Sequence, residues 1–65
     1  MDVEILSKKL QIENKLFYFD LKSNPAGKYL KITEKSGDRK SVVIVPVSGL
    51  LGFKEIIDEI LQTLV

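Results

Sequence analysis

The sequence contains no cysteine, no histidine and no tryptophan, and it has only one methionine. Without cysteine, neither disulfides nor a thiolate metal site can supplement the hydrophobic core. Without histidine, the chain lacks the usual general base at neutral pH and the commonest metal ligand. These absences argue against catalysis, and we expect a protein that is not an enzyme and uses no metal or cofactor.

Motifs for phosphate binding, nucleophilic catalysis and membrane insertion are also missing. The glycines lack Walker or dinucleotide-binding spacing, and no serine has the sequence context of an activated nucleophile. The longest apolar run, residues 42–47, is far too short to span a bilayer, and no signal peptide is recognisable. We therefore expect a cytoplasmic protein, either free or associated with the nucleoid.

What the chain does have is the composition of one small globular domain. Its 65 residues, of which 45% are hydrophobic, predict a single domain over residues 1–65. A domain of this size buries only about 60% of the surface that its unfolded chain exposes. Since no cross-link is available, oligomerisation is the remaining common route to a stable fold.

Residues 14–33 have the alternation of a β-hairpin with two different faces. Apolar side chains take every second position of both arms: Phe17, Phe19, Leu21, Leu30 and Ile32. Tyrosines, lysines and one aspartate take the positions between them: Tyr18, Asp20, Lys22, Tyr29 and Lys31. Aromatic rings interleaved with lysines on the open face of a sheet can stack unpaired bases and follow a phosphate backbone.

Four strand-like runs precede one helix. The first covers residues 5–12, the hairpin supplies the second and the third, which ends near residue 35, and the fourth covers residues 40–47. Turn residues separate these runs at positions 13–14, 24–27 and 36–38. The sequence of the central turn, Asn-Pro-Ala-Gly, matches the preferences of a type I turn at each position.

After Pro46 the hydrophobic period becomes helical, and Ser48 is the predicted N-cap. Apolar residues follow helical spacing: Phe53, Ile56, Ile57, Ile60, Leu61 and Leu64. One amphipathic helix can cover one face of an antiparallel sheet. The sequence thus predicts an α+β fold, a four-stranded antiparallel sheet followed by one C-terminal helix. The helix is expected to pack on Phe17, Phe19, Leu21, Leu30, Ile32, Val43 and Val45.

A second apolar strip lies on the fourth strand. If the valines at positions 43, 45 and 47 face the helix, then Val42, Ile44 and Pro46 face away from it. A small soluble monomer rarely exposes such a strip without using it. Self-association through this strand, or exchange of helices between protomers, would cover this apolar strip. The alternative is a locally irregular strand in which Pro46 breaks the register.

The net charge of +1 conceals a division along the chain. Residues 14–40 contain seven basic and three acidic residues, a net charge of +4, whereas residues 54–65 contain one basic and three acidic residues, a net charge of −2. Such asymmetry suggests a polyanionic partner for one surface. Alternatively, the lysines only keep the strands soluble and unpaired.

Residues 14–32 resemble the PUR repeat of the purine-rich element binding proteins. The matching stretch reads NKLFYFDLK at positions 14–22, then Asn24, then GKYLKI at positions 27–32. The Lys40-Ser41 pair and the terminal amphipathic helix extend the similarity over nearly the whole chain. The resemblance implies a single-repeat, bacterial member of this family with a Whirly-like fold, intertwined with a second copy through the helices as a homodimer. It further implies binding of single-stranded DNA and RNA, with a preference for purine-rich sequence, and regulation of transcription or translation.

The resemblance implies a set of residues that contact nucleic acid: Asn14, Lys22, Asn24, Tyr29 and Lys40. In this interpretation the two lysines neutralise phosphates, Asn24 hydrogen-bonds base edges and Tyr29 stacks on a base. Tyr18 belongs to the same strand face as Lys22. The remaining electrostatic candidates are Lys15, Lys28, Lys31 and Arg39.

Each of the main assignments has a structural alternative. Lys22 and Lys40 can be ordinary solvated surface, Asn24 is also the expected opening residue of its turn, and Tyr29 can pack across the strands on Tyr18.

Two departures from the family pattern predict weaker binding than that of a fully basic repeat. Leu16 stands where a basic residue is usual, and Glu13 places an acid beside the expected site. The rival function from another class is a protein-interaction module that uses the open sheet edge or the apolar strip of the fourth strand.

Overall fold

The computed structural model describes residues 1–65. Four β-strands come first, followed by a short 3-10 helix over Val47–Gly49 and one α-helix. The elements are β1 (Val3–Ile12), β2 (Lys15–Asn24), β3 (Gly27–Ser36), β4 (Arg39–Pro46) and α1 (Leu50–Thr63). The predicted α+β class and the order of the elements are confirmed.

The strands form a single antiparallel sheet in the order β1-β2-β3-β4, so each strand pairs with its neighbours in sequence. β1 begins two residues before its predicted start, and β4 ends at Pro46 rather than at Val47. A proline has no N–H group for the hydrogen-bond ladder, which explains why strand pairing stops there and Val47 enters the 3-10 helix.

Two-residue turns connect the strands at the predicted positions. At the central turn, Oδ1 of Asn24 accepts hydrogen bonds from the backbone N–H groups of Ala26 (2.9 Å) and Gly27 (3.1 Å). This side-chain-to-backbone pattern is the reason asparagine is favoured at turns. At the last turn, Gly37 has φ of 59°, a left-handed conformation that glycine adopts without steric cost.

The pairing of β1 with β2 contains a bulge near the start of β1. Glu4 pairs with Lys22 and Leu6 with Leu21, which leaves Ile5 without a partner. Because one extra residue reverses the alternation, Glu4 and Leu6 lie on opposite faces of the sheet despite their even spacing. The bulge therefore turns an acidic side chain toward the face that carries Lys22.

The register of the strands separates the side chains into two faces. The apolar face carries Leu6, Leu10, Phe17, Phe19, Leu21, Leu30, Ile32, Val43 and Val45. On it, the rings of Phe17 and Phe19 stack with their centroids 6.5 Å apart. The opposite face, called here the tyrosine–lysine face, carries Lys9, Tyr18, Lys22, Asn24, Tyr29, Lys31 and Lys40. The strip of Val42, Ile44 and Pro46 lies on this face along β4, opposite Thr33, Lys31 and Tyr29, and the register continues to Pro46 without a break.

Helix α1 does not cover the sheet of its own chain, so the predicted packing of the helix on the apolar face is wrong for a single chain. The main contacts of α1 are with the 3-10 helix that precedes it. Its apolar residues stay exposed: Phe53, Ile56, Ile57, Ile60, Leu61 and Leu64. The physical reason is the connection, because the three residues between β4 and α1 are themselves helical and leave no loop to reverse the chain over the sheet.

The start of the helix also differs from the prediction. Ser48 lies inside the 3-10 helix, and Gly49 takes the N-cap position of α1 without a side-chain hydrogen bond. The predicted Ser48 cap is therefore wrong. The 3-10 helix supplies the local hydrogen bonding that a capping side chain would otherwise provide, since the N–H of Leu50 bonds to the carbonyl of Val47.

Very little of the isolated chain is buried. Val45, at 6% exposure, and Thr33, at 5%, are its only buried residues. The molecule measures 42 × 31 × 16 Å, the dimensions of an open sheet with a projecting helix. None of its helices combines the length and the apolar character needed to cross a membrane.

Candidate nucleic-acid interface

The tyrosine–lysine face collects most of the predicted contact residues. Adjacent strands place Lys22 opposite Tyr29, and Lys31 opposite Asp20. On the next strand Lys40 lies opposite Lys35, which is also exposed on this face. The result is a row of ammonium groups flanked by two aromatic rings, arranged across three strands.

The two tyrosines occupy separate parts of this face. Tyr18 lies opposite Thr33, and Tyr29 lies opposite Lys22. Four strand positions separate Thr33 from Tyr29, which corresponds to about 13 Å along the strand. The alternative in which Tyr29 packs on Tyr18 is therefore wrong, and both rings stay available for separate contacts.

Tyr18 has a cationic neighbour from β1. The Nζ atom of Lys9 lies 6.0 Å from the centroid of the Tyr18 ring, within the range of a cation–π interaction. On the same strand pair, Oγ of Ser7 donates a 2.6 Å hydrogen bond to Oδ1 of Asp20. That bond restrains the acid between Tyr18 and Lys22.

Asn24 lies at the end of β2, where the turn determines its orientation. Its Oδ1 atom is used by the two backbone N–H groups of the turn. The amide nitrogen remains a donor of two hydrogen bonds. The structural role of Asn24 is thus confirmed, while its role in reading bases stays a prediction that this geometry permits.

Tyr29 has a hydrogen-bonding partner outside the sheet ladder. Its hydroxyl donates to Oδ2 of Asp2, the residue that precedes β1. This hydrogen bond holds the pKa of the Asp2 carboxyl below its ordinary value, and it raises the pKa of Tyr29 above the ordinary value of a tyrosine. Beside Tyr29 lies an open depression of about 400 Å³, lined by Asn24, Ala26, Gly27, Lys28, Ile44 and Pro46.

Three of the predicted electrostatic residues lie on the other side of the sheet. By strand register, Lys15, Lys28 and Arg39 belong to the apolar face, at its two ends, although Lys28 also borders the depression beside Tyr29. Nζ of Lys15 is 2.9 Å from Oε2 of Glu34, and both residues line a polar depression of about 340 Å³ with Arg39. Strand alternation explains the placement, because Lys15 is two residues from Phe17 and Lys28 is two residues from Leu30.

Asn14 belongs to neither face, because it lies in the turn between β1 and β2. That turn is at the opposite end of β2 from Asn24. The structure therefore groups Tyr18, Lys22, Asn24, Tyr29, Lys31 and Lys40 together, with Asn14 at one end of the β2 strand and the remaining three basic residues on the reverse face.

Sequence inspection did not single out Asp2, Ser7 and Lys9 as site residues. The alternation of β1 does place Ser7 and Lys9 on one face, but it does not say which residues of β2 they meet. That information comes from the pairing register and the bulge at Ile5. The contact between Asp2 and Tyr29 joins residues 27 positions apart, and no local sequence pattern indicates it.

A family model described as "PurA ssDNA and RNA-binding protein" matches residues 2–64. The chain belongs to this family. The membership confirms the resemblance carried by residues 14–32, which cover β2 and most of β3.

Individual relatives of the PurA family agree with this result. The chain is 58% identical over 55 residues to "Transcription factor Pur-alpha 1" of Arabidopsis thaliana, covering 85% of this chain and 19% of that protein. It is 35% identical over 60 residues to "Transcriptional activator protein Pur-alpha" of Homo sapiens, covering 91% of this chain and 19% of the relative. The match to "Transcriptional regulator protein Pur-beta" of Danio rerio is also 35%, over 91% of this chain and 20% of the relative. The chain thus spans about a fifth of the length of these proteins.

Proposed function

We propose that the chain binds single-stranded DNA and RNA through its tyrosine–lysine face, as a homodimer. The observation that carries the proposal is the grouping of Lys22, Asn24 and Tyr29 at one end of the sheet. Lys22 and Tyr29 are directly opposed on neighbouring strands, and Asn24 ends the strand of Lys22. A cation, an amide and an aromatic ring together match the phosphate, base edge and base plane of one nucleotide.

In the proposed mechanism, phosphate contacts supply most of the affinity. Lys22, Lys31 and Lys40 lie on β2, β3 and β4, so a strand that crosses the sheet can meet several ammonium groups in turn. Each neutralised phosphate of a single strand lowers the slope of log affinity against log salt by about 0.7. Stacking on Tyr29 adds roughly 1–3 kcal/mol and tolerates different bases.

The proposed homodimer follows from two apolar surfaces that lack partners within the chain. The apolar face of the sheet has no second layer, and the apolar side of α1 is exposed, with Ile57 at 51% and Leu61 at 55%. An exposed surface of this extent marks an association site. If two copies exchange helices, each helix covers the sheet of its partner and both surfaces are buried by one symmetric interaction.

The names of the relatives suggest the biological role. Because proteins similar over this region are called transcription factors, activators and regulators, we propose that the chain regulates transcription or translation by binding purine-rich single strands in the cytoplasm. The competing role, a protein-interaction module, would use the open sheet edge or the exposed strip of Val42, Ile44 and Pro46 without requiring Tyr29 or Lys22.

The test is fluorescence anisotropy with purine-rich single-stranded DNA and RNA oligonucleotides at two salt concentrations. We expect salt-sensitive binding that Tyr29→Ala and Lys22→Ala both weaken. Arg39→Ala is the matched control, because it removes one positive charge from the opposite face. Absence of binding by the folded dimer at low salt, or equal loss with all three variants, would contradict the proposed surface and direct attention to protein partners.

A further inference from the structure

One acidic side chain lies within the group of residues proposed to bind nucleic acid. Oδ2 of Asp2 accepts a hydrogen bond from the hydroxyl of Tyr29. The hydrogen bond from Tyr29 is the main cause that lowers the pKa of this carboxyl, and the N-terminal ammonium group, Asn24 and Lys22 contribute less. Asp2 thus contacts Tyr29, beside the end of β2 that carries Lys22 and Asn24.

The position of Asp2 is determined by the sheet. Asp2 directly precedes β1, whose first residues Val3 and Glu4 pair with Ser23 and Lys22 at the end of β2. This pairing fixes the backbone beside the proposed site. Only one residue separates Asp2 from Glu4, the last paired residue before the bulge. Two carboxylates are therefore held at the end of the sheet where Lys22 and Tyr29 face each other.

A carboxylate and a phosphate make the same demands on their surroundings. Both are anionic, both accept charge-assisted hydrogen bonds from hydroxyl and amide donors, and both pair with an ammonium group. The Asp2 carboxylate already uses the hydroxyl of Tyr29, which lies directly opposite Lys22. It therefore occupies a place that suits a backbone phosphate of a bound strand.

We propose that Asp2 is an internal competitor for nucleic acid, whose carboxylate holds a phosphate position between the hydroxyl of Tyr29 and Lys22 until a strand displaces it. This inference rests on the proposed function and adds a residue that limits its affinity. The opposite role would be that Asp2 orients the Tyr29 ring for stacking. The two roles predict changes of opposite sign when the charge of Asp2 is removed.

The first experiment compares Asp2→Asn with Asp38→Asn in the anisotropy assay with a purine-rich single-stranded DNA oligonucleotide. Both substitutions remove one negative charge, but Asp38 lies in the turn between β3 and β4, at the other end of the strands. That distance, roughly 30 Å along a ten-residue strand, is several times the Debye length of about 8 Å at physiological salt. We expect Asp2→Asn to bind about fivefold more tightly than the wild type, the upper range for an interaction between exposed charges, and Asp38→Asn to bind with nearly unchanged affinity.

A second measurement follows Asp2 directly. The carboxyl carbon resonance of Asp2, titrated by NMR in the free protein and in the complex with the oligonucleotide, reports its pKa. Displacement from Tyr29 removes the hydrogen bond that lowers this pKa, so the pKa should be higher in the complex. A pKa equally low in both states would show that Asp2 stays in place and would overturn the inference.

The outcomes separate this inference from the proposed function. If the wild type binds and loses affinity with Tyr29→Ala, but Asp2→Asn binds equally or more weakly, then the function stands and Asp2 is not a competitor. If none of the folded proteins binds at low salt, both the function and the inference are wrong.

Discussion

The two faces of this sheet are built from the same four strands, but they differ in whether their side chains have partners within the chain. On the tyrosine–lysine face, polar groups have partners, as in the hydrogen bond of Ser7 with Asp20 on the neighbouring strand and that of Tyr29 with Asp2, which precedes β1. On the apolar face, phenylalanines and branched aliphatic residues lack the second layer that would bury them. Under the proposed function, the tyrosine–lysine face takes a charged ligand and the apolar face takes a second copy of the chain. Alternation at period two would then assign ligand binding to one side of each strand and assembly to the other.

The largest expected effect comes from breaking the assembly side. Ile57→Glu introduces a charge on the apolar side of α1 and should abolish the dimer, together with most of the folded population, because an unpaired charge cannot be buried against the apolar face. Sedimentation velocity and circular dichroism measure both consequences. Gln62→Glu adds the same charge on the polar side of α1 and should leave the dimer intact. A folded, dimeric Ile57→Glu variant would rule out α1 as the dimer contact.

The next largest effect belongs to the Tyr29 ring at the end of the tyrosine–lysine face. Tyr29→Ala should weaken binding to a single-stranded oligonucleotide by roughly 1–3 kcal/mol, since stacking is lost, while the oligomeric state stays unchanged. Tyr29→Phe keeps the ring and removes only the hydroxyl bonded to Asp2, so it should retain most of the affinity. Anisotropy titration distinguishes the two. If both variants lose affinity equally, the hydroxyl rather than the ring is responsible.

A smaller effect is expected when one positive charge is removed from either face and the salt dependence of binding is compared. Lys22→Ala should make the negative slope of log affinity against log salt shallower by about 0.7, the value for one phosphate contact. Arg39→Ala on the apolar face should leave that slope unchanged. Titrations at four or more salt concentrations supply the slopes. Equal slopes for the two variants would mean that nucleic acid does not distinguish the faces.

The smallest effect concerns Asn24, which has a structural and a proposed binding role. Asn24→Ala removes the acceptor of two backbone hydrogen bonds and should lower the free energy of unfolding by about 1 kcal/mol, as measured by denaturant titration. Asn24→Asp keeps the acceptor oxygen but replaces the amide donor with a negative charge. It should therefore stay nearly as stable as the wild type and still bind nucleic acid more weakly. If Asn24→Asp binds with unchanged affinity, Asn24 has only a structural role in the turn.

Sequence periodicity was sufficient for the elements and for the two faces of the hairpin. Phe17 and Phe19 lie on the apolar face, Tyr18 and Lys22 on the opposite one, and the three turns are where their glycine and asparagine residues predict. The same alternation also predicts that Lys15, Lys28 and Arg39 belong to the apolar face, because each lies two or four residues from an apolar position of that face. The prediction of an electrostatic surface grouped all basic residues together and did not use this alternation.

Other features depend on contacts that no local pattern encodes. The bulge at Ile5 is a property of how β1 pairs with β2, and the contact between Asp2 and Tyr29 depends on that pairing. The apolar stripe of α1 lies where helical spacing predicts it, but it stays exposed within the single chain. Periodicity indicates which side of a helix is apolar, but not whether the covering sheet belongs to the same chain, and for that reason the packing prediction was wrong.

The short connection over Val47–Gly49 has a kinetic consequence. A chain whose helix cannot fold back must meet a second chain before its core is complete, so folding under the proposed exchange is bimolecular. Refolding should then accelerate in proportion to protein concentration, and the melting temperature should rise with it. In a cell, chains made at low abundance would spend longer unfolded and exposed to proteases. Because of the short connection after β4, the fraction of molecules that reach the folded state would depend on the expression level.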